Sequence, residues 1–387
     1  MEISVDMFPQ GRTLLAKCCD YQAGKPFTAP ADGPLTGGEI TMKSRFSSLL
    51  ALTVIFSCVG TAGPGPQGAG PNPAMRDHLV RIVTVSQEGL DVEGNNLLEP
   101  TLELLDRAAS FRPDIACLPE HFSGRTPQTV PGPVTDRLAA WAREHSSYVA
   151  FGMITKKDGK IHNSAILMDR QGQIVGQYNK LHPTDQEIKR GILPGEDAGL
   201  SVFKTDFGTI GLQICFDVNW RDEWRKLKEH GAQLVIWPSA YPAAMQLPAL
   251  ALTNEYFIIS STGRASASIY DITGQVLATT GVYQEWAGAV LPLSKRLFET
   301  DYNGGKVAAI QKKYGAKVEV VWFHDSDLLT MASLDPALTM EDLMAEFALT
   351  PLDAYIARCT KAIDQARSEV GGKAHATQRP HKKCGGT

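Results

Sequence analysis

A carboxylate, an ammonium group and a thiol each stand where a predicted strand ends. The segments are LPEH with Glu120, YNKLH with Lys180 and GLQICFD with Cys215. A cysteine can attack an acyl carbon once a neighbouring base or cation activates it, and an ammonium group can stabilise the oxyanion that forms. Each residue alone has an ordinary explanation, because loop glutamates, surface lysines and small core cysteines are common. The spacing and flanks of the three segments together favour covalent catalysis by Cys215.

The elements that must position these residues alternate between strands and helices. Apolar residues with helical spacing cover 95–110, 135–145 and 221–230. Hairpin turns are predicted at 169–172, 206–208 and 273–274. Short apolar strands are predicted at 79–85, 115–119, 148–154, 163–168, 174–177, 203–205, 209–215, 233–237 and 256–261. This order predicts α/β sheets covered by helices on their outer faces, in one domain over 76–300.

Six segments of this domain, taken in order, resemble the nitrilase, or carbon–nitrogen hydrolase, superfamily. They are LPE at 118–120, NSA at 163–165 with DRQG at 169–172, YNKLH at 178–182, LPG at 193–195, CFD at 215–217 and SIYDITG at 268–274. The similarity covers about 79–293. The resemblance implies a four-layer α-β-β-α sandwich.

The same resemblance assigns roles to the chemical groups. It implies that Glu120 is the general base, Lys180 the oxyanion stabiliser and Cys215 the nucleophile. Glu187 stands where many members carry a second active-site glutamate, although a charge at a helix start is the alternative. A carboxylate shielded from water is expected to have the raised pKa that a proton carrier needs. The backbone N–H of Phe216 is the expected second donor to the oxyanion.

The sequence departs from the family pattern directly after the nucleophile. Many members continue with an aromatic residue, proline and glutamate, whereas VNWRDE occupies 218–223 here. This departure concerns the pocket wall and hence the choice of substrate. Phe216, Trp220 and Tyr241 are the candidate substrate-binding residues, although Trp220 and Tyr241 could equally be core aromatics.

The expected reaction is hydrolysis of a small linear amide or N-carbamoyl compound through a cysteine thioester. The second hypothesis is a nitrilase that acts on a nitrile. The third is an acyltransferase that uses the same thioester, and the fourth is a binding protein without catalytic activity. No cofactor is required. The sequence has no Cys-x-x-Cys or His-Glu-x-x-His pattern, which disfavours a metal enzyme. A net charge of −4 without a basic run gives no indication of nucleic-acid binding.

The segment before the domain is expected to direct export. Residues 1–41 are interpreted as a non-native or disordered leader, and 42–62 as a signal peptide with a basic start and a short apolar core. Residues 63–75 form a Gly/Pro linker. Cys58 lies at a possible lipoprotein processing site, which would anchor the protein to a membrane. The protein is therefore expected to be secreted or periplasmic, or cytoplasmic if the leader is not a signal peptide.

The segment after the domain is expected to support assembly. A helical extension is predicted over 301–370, with amphipathic helices at 340–347 and 352–370 and a disordered tail at 371–387. The apolar face of these helices must be buried on the same subunit or on a partner. The resemblance favours a partner, and hence a homodimer or a higher homo-oligomer.

Overall fold

The computed structural model describes residues 79–90, 97–196 and 201–376. The expectations for 1–41, 42–62, 63–75 and Cys58 lie outside the described residues. Within them, no helix is both long enough and apolar enough to cross a membrane.

The first of two six-stranded sheets carries Glu120 and Lys180 at the ends of its strands. Its strands are β1 (Leu79–Val85), β2 (Ile115–Cys117), β3 (Tyr148–Lys157), β4 (Lys160–Met168), β5 (Ile174–Asn179) and β12 (Trp286–Pro292). Their order across the sheet is β12-β1-β2-β3-β4-β5. The central pairs β1–β2 and β2–β3 are parallel, and the outer pairs are antiparallel. The parallel strands are buried on both faces, which explains their nearly continuous apolar sequences.

The second six-stranded sheet contains the strands on either side of Cys215 in the sequence. Its strands are β6 (Val202–Lys204), β7 (Thr209–Leu212), β8 (Leu234–Ser239), β9 (Phe257–Thr262), β10 (Ser268–Tyr270) and β11 (Val276–Thr279). Their order is β11-β10-β9-β8-β7-β6, with β7, β8 and β9 parallel. The predicted strand 209–215 ends early, at Leu212, because the chain turns into a 3-10 helix over Cys215–Asn219.

Alternating side chains sort the two sheets and their helices into layers. On β1, Val80 and Ile82 belong to the core between the sheets, whereas Val83 and Val85 pack against helices. Helices α1 (Leu98–Ala108) and α2 (Pro133–His145) cover the first sheet; α4 (Arg221–Glu229) and α5 (Gln246–Asn254) cover the second; α3 (Asp185–Lys189) is a short turn beside the site. The predicted four-layer α-β-β-α sandwich is confirmed.

The C-terminal segment is not purely helical, which corrects the expectation for 301–370. A third sheet joins β13 (Arg296–Glu299), β14 (Val318–Phe323) and β15 (Leu328–Ser333) in the order β13-β15-β14. The sequences VEVVWF and LLTMAS of β14 and β15 favour strands because β-branched and aromatic residues suit a pleated surface. The helices of this segment are α6 (Thr300–Asn303), α7 (Val307–Tyr314), α8 (Met340–Phe347) and α9 (Leu352–Ala376). Because α9 continues to Ala376, the first residues of the expected tail 371–387 are helical, and 377–387 lie outside the described residues.

Candidate active site

Glu120 follows β2 in a backbone segment that is held tightly against β3. Gly152 on β3 donates its N–H to the Pro119 carbonyl over 3.1 Å, and its carbonyl accepts from the N–H of Phe122 over 3.2 Å. A Cβ at position 152 would lie 2.7 Å from the Cα of Glu120, closer than real contacts allow. Glycine at 152 therefore permits the close approach that places Glu120.

Lys180 lies between two carboxylates in the protein interior. Its Nζ donates to Glu120 Oε1 over 3.0 Å and to Glu187 Oε2 over 2.9 Å. The Asn163 amide donates to Glu120 Oε1 and Glu187 Oε1, each over 2.7 Å. The Lys180 side chain is 1% exposed and that of Glu120 is 2% exposed, so bulk water hardly screens these charges. The structure thus brings together three of the four predicted catalytic residues.

Glu187 belongs to this cluster and also begins a helix. The Thr184 N–H donates to Glu187 Oε2 over 2.8 Å, and the Glu187 N–H donates to Thr184 Oγ1 over 3.3 Å. These reciprocal bonds form a capping box at the start of α3. The two interpretations of Glu187 are therefore compatible, since one carboxylate oxygen caps the helix and also meets the Lys180 ammonium.

The ionisation of this cluster differs from the expectation for Glu120. Burial alone would raise the pKa of Glu120, but the charges of Lys180 and His121 and the hydrogen bonds from Lys180 and Asn163 lower it to about 2. The pKa of Glu187 is also lowered, with burial again opposed by Lys180. Burial tends to lower the pKa of Lys180, but the charges around it, with Glu120 foremost, raise it. The expected raised pKa of Glu120 is therefore wrong, and its carboxylate is ionised in the resting site.

Cys215 opens the 3-10 helix in a left-handed backbone conformation. Its φ is 44°, which is uncommon for a residue with a side chain. The indole Nε1 of Trp237, on the neighbouring strand β8, donates to the Cys215 carbonyl over 3.0 Å. The Cys215 residue is 7% exposed. Strand β7 and the Trp237 indole thus fix the turn that presents the thiol.

The thiol of Cys215 is protonated in the resting site. Burial and the negative charge of Glu120 raise its pKa to about 12, although Lys180, the Ala240 backbone and the Ser239 side chain act to lower it. Electrostatic interactions with both Glu120 and Lys180 place the thiol beside the buried cluster. The site therefore holds a thiol beside the ionised carboxylate of Glu120, and a thiolate can form only as the thiol proton is transferred.

The three candidate substrate-binding residues lie at different depths. Tyr241 is half-buried and packs edge-on against Trp237, with ring centroids 5.6 Å apart. Burial is the main cause that raises the Tyr241 pKa, and electrostatic interactions with Cys215, Lys180 and Glu120 place its hydroxyl near that cluster. Phe216 and Trp220 are 36% and 38% exposed, and their rings meet edge-on at 5.3 Å. Tyr241 is thus near the thiol, while Phe216 and Trp220 form a partly exposed aromatic surface.

One trio of side chains has the composition of a metal site. A ring nitrogen of His121 and carboxylate oxygens of Glu120 and Glu187 lie within 4.8 Å of one another. The Lys180 ammonium already bonds to both carboxylates, and a second cation there would meet its repulsion. The two carboxylates are therefore arranged to bind the ammonium group of Lys180 rather than a metal ion.

Two residues that position the cluster were not among the predicted site residues. Asn163 is fully buried and bridges both glutamates, and Gly152 admits the Glu120 backbone. Asn163 opens the NSA segment at 163–165, which the resemblance included without a role. A polar amide within the predicted strand 163–168 was the available signal, because such a group needs polar partners once it is buried.

A family comparison identifies the class to which this chain belongs. The carbon–nitrogen hydrolase family model matches residues 79–290, more than half of the 387 residues. The chain belongs to the carbon–nitrogen hydrolase family. The resemblance is thereby confirmed, and the protein is an enzyme of this class.

Individual relatives are distant but cover most of the domain. Omega-amidase NIT2 of Mus musculus is 26% identical over 290 residues, which are 66% of this chain and 99% of that protein. The bifunctional nitrilase/nitrile hydratase NIT4B of Lupinus angustifolius is 28% identical over 166 residues, 36% of this chain and 47% of that protein.

Solved structures share the fold at lower identity. An amidase from Nesterenkonia sp. superposes with a TM-score of 0.50 at 20% identity, covering 62% of this chain and 97% of that one. Nit3 of Saccharomyces cerevisiae, a nitrilase-superfamily member, gives a TM-score of 0.50 at 16% identity, covering 62% and 95%. At these identities the likeness concerns the fold alone.

Proposed function

We propose that this carbon–nitrogen hydrolase cleaves a small linear amide or N-carbamoyl compound through an acyl-thioester on Cys215. The observation that carries the proposal is the buried Lys180, bonded to Glu120 and Glu187 beside the thiol. The similarity to a protein named omega-amidase supports a terminal amide as substrate. The partial similarity to a nitrilase/nitrile hydratase keeps nitriles as the second candidate.

The first half-reaction forms the thioester and releases the amine. Cys215 Sγ attacks the carbonyl carbon while Glu120 accepts the thiol proton, because the thiol is not ionised beforehand. The Lys180 ammonium and the Phe216 N–H stabilise the oxyanion. Glu120 then passes the proton to the nitrogen as the carbon–nitrogen bond breaks. Ammonia or an amine leaves, and the acyl group remains on sulfur.

The second half-reaction consumes water and restores the thiol. Glu120, ionised again, takes a proton from a water molecule that attacks the thioester carbon. The carbon–sulfur bond then breaks and the sulfur recovers a proton from Glu120. This half-reaction yields a carboxylic acid and the free enzyme. Together the two half-reactions convert one amide and one water into one carboxylic acid and one ammonia or amine. In this proposal Glu120 carries the proton in each step, and Lys180 stabilises the oxyanion in both half-reactions.

An activity screen tests this proposal. Linear amides, N-carbamoyl amino acids and nitriles are offered to the mature enzyme, with ammonia detection. We expect amides or carbamoyl compounds to be hydrolysed, and no hydrolysis by a Cys215→Ala variant. Cys215→Ser should be nearly as inactive, since a glutamate base ionises a hydroxyl poorly. Turnover of nitriles alone would favour the second candidate and contradict the first.

Mass spectrometry with a slowly turned-over amide locates the intermediate. We expect an acyl adduct on Cys215, which interacts with the buried charges. Cys117 and Cys359 are free cysteines in the described part of the chain and serve as internal controls. Burial raises the pKa of the Cys117 thiol, which makes it unreactive. An adduct on either control cysteine would overturn the assignment of the nucleophile.

A further inference from the structure

The carboxylate of Asp217, two residues after the nucleophile, is fully buried and accepts three hydrogen bonds. Its Oδ2 accepts from the Tyr178 hydroxyl over 2.8 Å and from the Ile214 N–H over 3.1 Å. Its Oδ1 accepts from the His182 N–H over 3.0 Å. The residue has no accessible surface, so these groups replace the water that a carboxylate otherwise binds.

These donors belong to the two segments that the proposed reaction must keep together. Ile214 directly precedes Cys215, and His182 follows Lys180 by two residues. The Tyr178 hydroxyl also accepts from the Leu181 N–H over 3.3 Å. One carboxylate therefore connects the turn that carries the thiol to the strand exit that carries the ammonium group.

The chemistry of the partners makes this connection depend on ionisation. Two of the three partners are backbone N–H groups, which can only donate, and the third donates its hydroxyl hydrogen. An ionised carboxylate satisfies all three. A carboxylic acid brings a proton of its own, which must take the place of one of these bonds or remain unpaired in the interior.

We propose that Asp217 is a positioning residue that holds the Cys215 turn against the Lys180 segment, and that protonation of its carboxylate releases this contact and stops turnover. The proposal rests on the proposed function, because that function assigns Cys215 and Lys180 as the reacting groups. Among the described residues, the hydrogen bonds of the Asp217 carboxylate go to Tyr178, Ile214 and His182 and not to the thiol of Cys215 or the ammonium group of Lys180.

The ionisation of the surrounding groups supports Asp217 as the acid-sensitive residue. Burial raises the pKa of Asp217 to about 6, with the Tyr178 hydrogen bond, the Lys180 charge and the backbone donors opposing the shift. The pKa values of Glu120 and Glu187 are lowered, so both stay ionised in mild acid. Burial and the charge of Asp217 raise the Tyr178 pKa, and the charge of Glu223 on the neighbouring helix α4 adds to this shift.

Two histidines near the site must be distinguished from Asp217. Burial lowers the pKa values of His121 and His182, and each ring has a buried Nε2 without a hydrogen-bond partner among the described residues. Both could therefore titrate in mild acid. Their substitution is the necessary control.

The pH profile of kcat between pH 4.5 and 8 tests the proposal. We expect wild-type kcat to fall tenfold per pH unit below about pH 6, as for loss of one ionised group. Tyr178→Phe removes a donor that favours the charged carboxylate, so the midpoint of this fall should move up by about one pH unit. Asp217→Asn should have low kcat without the fall. Tyr148→Phe, another buried tyrosine with its hydroxyl bonded elsewhere, should keep the wild-type midpoint.

The outcomes separate the alternatives. A midpoint that is unchanged in Tyr178→Phe, or a fall that disappears in His121→Asn or His182→Phe, overturns the proposal. Infrared difference spectra between pH 5 and 7.5 provide a readout without substrate. They should show a protonated carboxyl band at pH 5 that Asp217→Asn lacks. If this band is present and no amide or carbamoyl compound is hydrolysed, the proposed function fails while the titration of Asp217 stands.

Discussion

Two buried lysines in the described part of the chain each lie between a pair of carboxylates. Lys180 meets Glu120 and Glu187, and Lys295 meets Asp271 over 3.2 Å and Glu319 over 3.1 Å. Both side chains are less than a tenth exposed. A buried ammonium group needs such partners because its desolvation is otherwise costly. The two trios are physically similar, but we assign catalysis only to that of Lys180.

The pair allows a matched test of the oxyanion role. Lys180→Met leaves the carboxylates of Glu120 and Glu187 without their cation in the interior, so it should lower the free energy of unfolding by about 3–5 kcal/mol. Lys295→Met leaves the buried Asp271 and the 38% exposed Glu319 without theirs, so its loss should be smaller because water reaches one of the two carboxylates. Only Lys180→Met should also lower kcat, by about 100-fold to 1,000-fold, because one donor to the oxyanion is lost. Denaturant unfolding and steady-state kinetics measure both effects. Equal losses of kcat in the two variants would mean that Lys180 only stabilises the fold.

At the scale of elements, the close approach of β3 to the segment after β2 determines the position of Glu120. Gly152→Ala would place a methyl group where the Glu120 backbone lies. We expect the Glu120 carboxylate to shift and kcat to fall by about 10- to 100-fold, since small displacements of a reacting group are costly. Gly305→Ala is the control, because a Cβ at 305 meets nothing within 4 Å. The result would be contradicted if both variants kept wild-type kcat.

The sequence predicted those elements whose pattern is local. Strand β1 matches the predicted 79–85 from end to end, because its apolar side chains are contiguous in the chain. The partners of Asn163 are 43 and 24 residues away, so no local pattern indicated them. The direction of the Glu120 pKa shift likewise depends on Lys180, which is 60 residues away. The strand before Glu120 indicated that this residue would be buried. Only the folded structure shows the Lys180 charge that opposes the effect of burial on the Glu120 pKa.

At the scale of the whole molecule, the two C-terminal helices differ in what covers them. On α8, Met340 and Leu343 are fully buried against β13, β15 and α7. On α9, Ile356 and Ile363 are 53% and 49% exposed. The alternative that this segment folds back on its own subunit therefore holds for α8, and the predicted pairing now rests on α9. Truncation of the chain after Leu338 would also remove α8 and its buried side chains. Such a truncation would therefore damage the core and would not test assembly.

Substitutions on α9 test the proposed homo-oligomer directly. Ile356 and Ile363 are seven residues apart and share one face of the helix. The double variant Ile356→Gln with Ile363→Gln should dissociate into monomers, because a polar face gains nothing from burial. The pair Lys361→Gln with Gln365→Ala, on the opposite face, should keep the wild-type mass. Light scattering at micromolar concentration measures both, and a monomeric wild type would contradict the proposal.

Export is the second proposal at this scale. Expression from Met42 in a bacterial host should give a periplasmic or membrane-anchored product, because 42–62 has the pattern of a signal peptide. N-terminal sequencing should find a start near Cys58 or Gly63. A Leu50→Arg variant, which places a charge in the apolar core, should accumulate unprocessed. A wild-type product that stays in the cytoplasm with Met42 intact would contradict the prediction.

Cys215 adopts a left-handed backbone conformation that its side chain disfavours, although the proposed reaction needs a thiol at this position. A residue with a side chain gives up about 1–2 kcal/mol to adopt this conformation, whereas glycine adopts it freely. The proposed nucleophile thus occupies a position at which its own side chain is conformationally disfavoured. Glycine at 215 would relieve this cost but would also remove a side chain that packs in the core, so the two effects on stability would oppose each other while the proposed reaction would be lost.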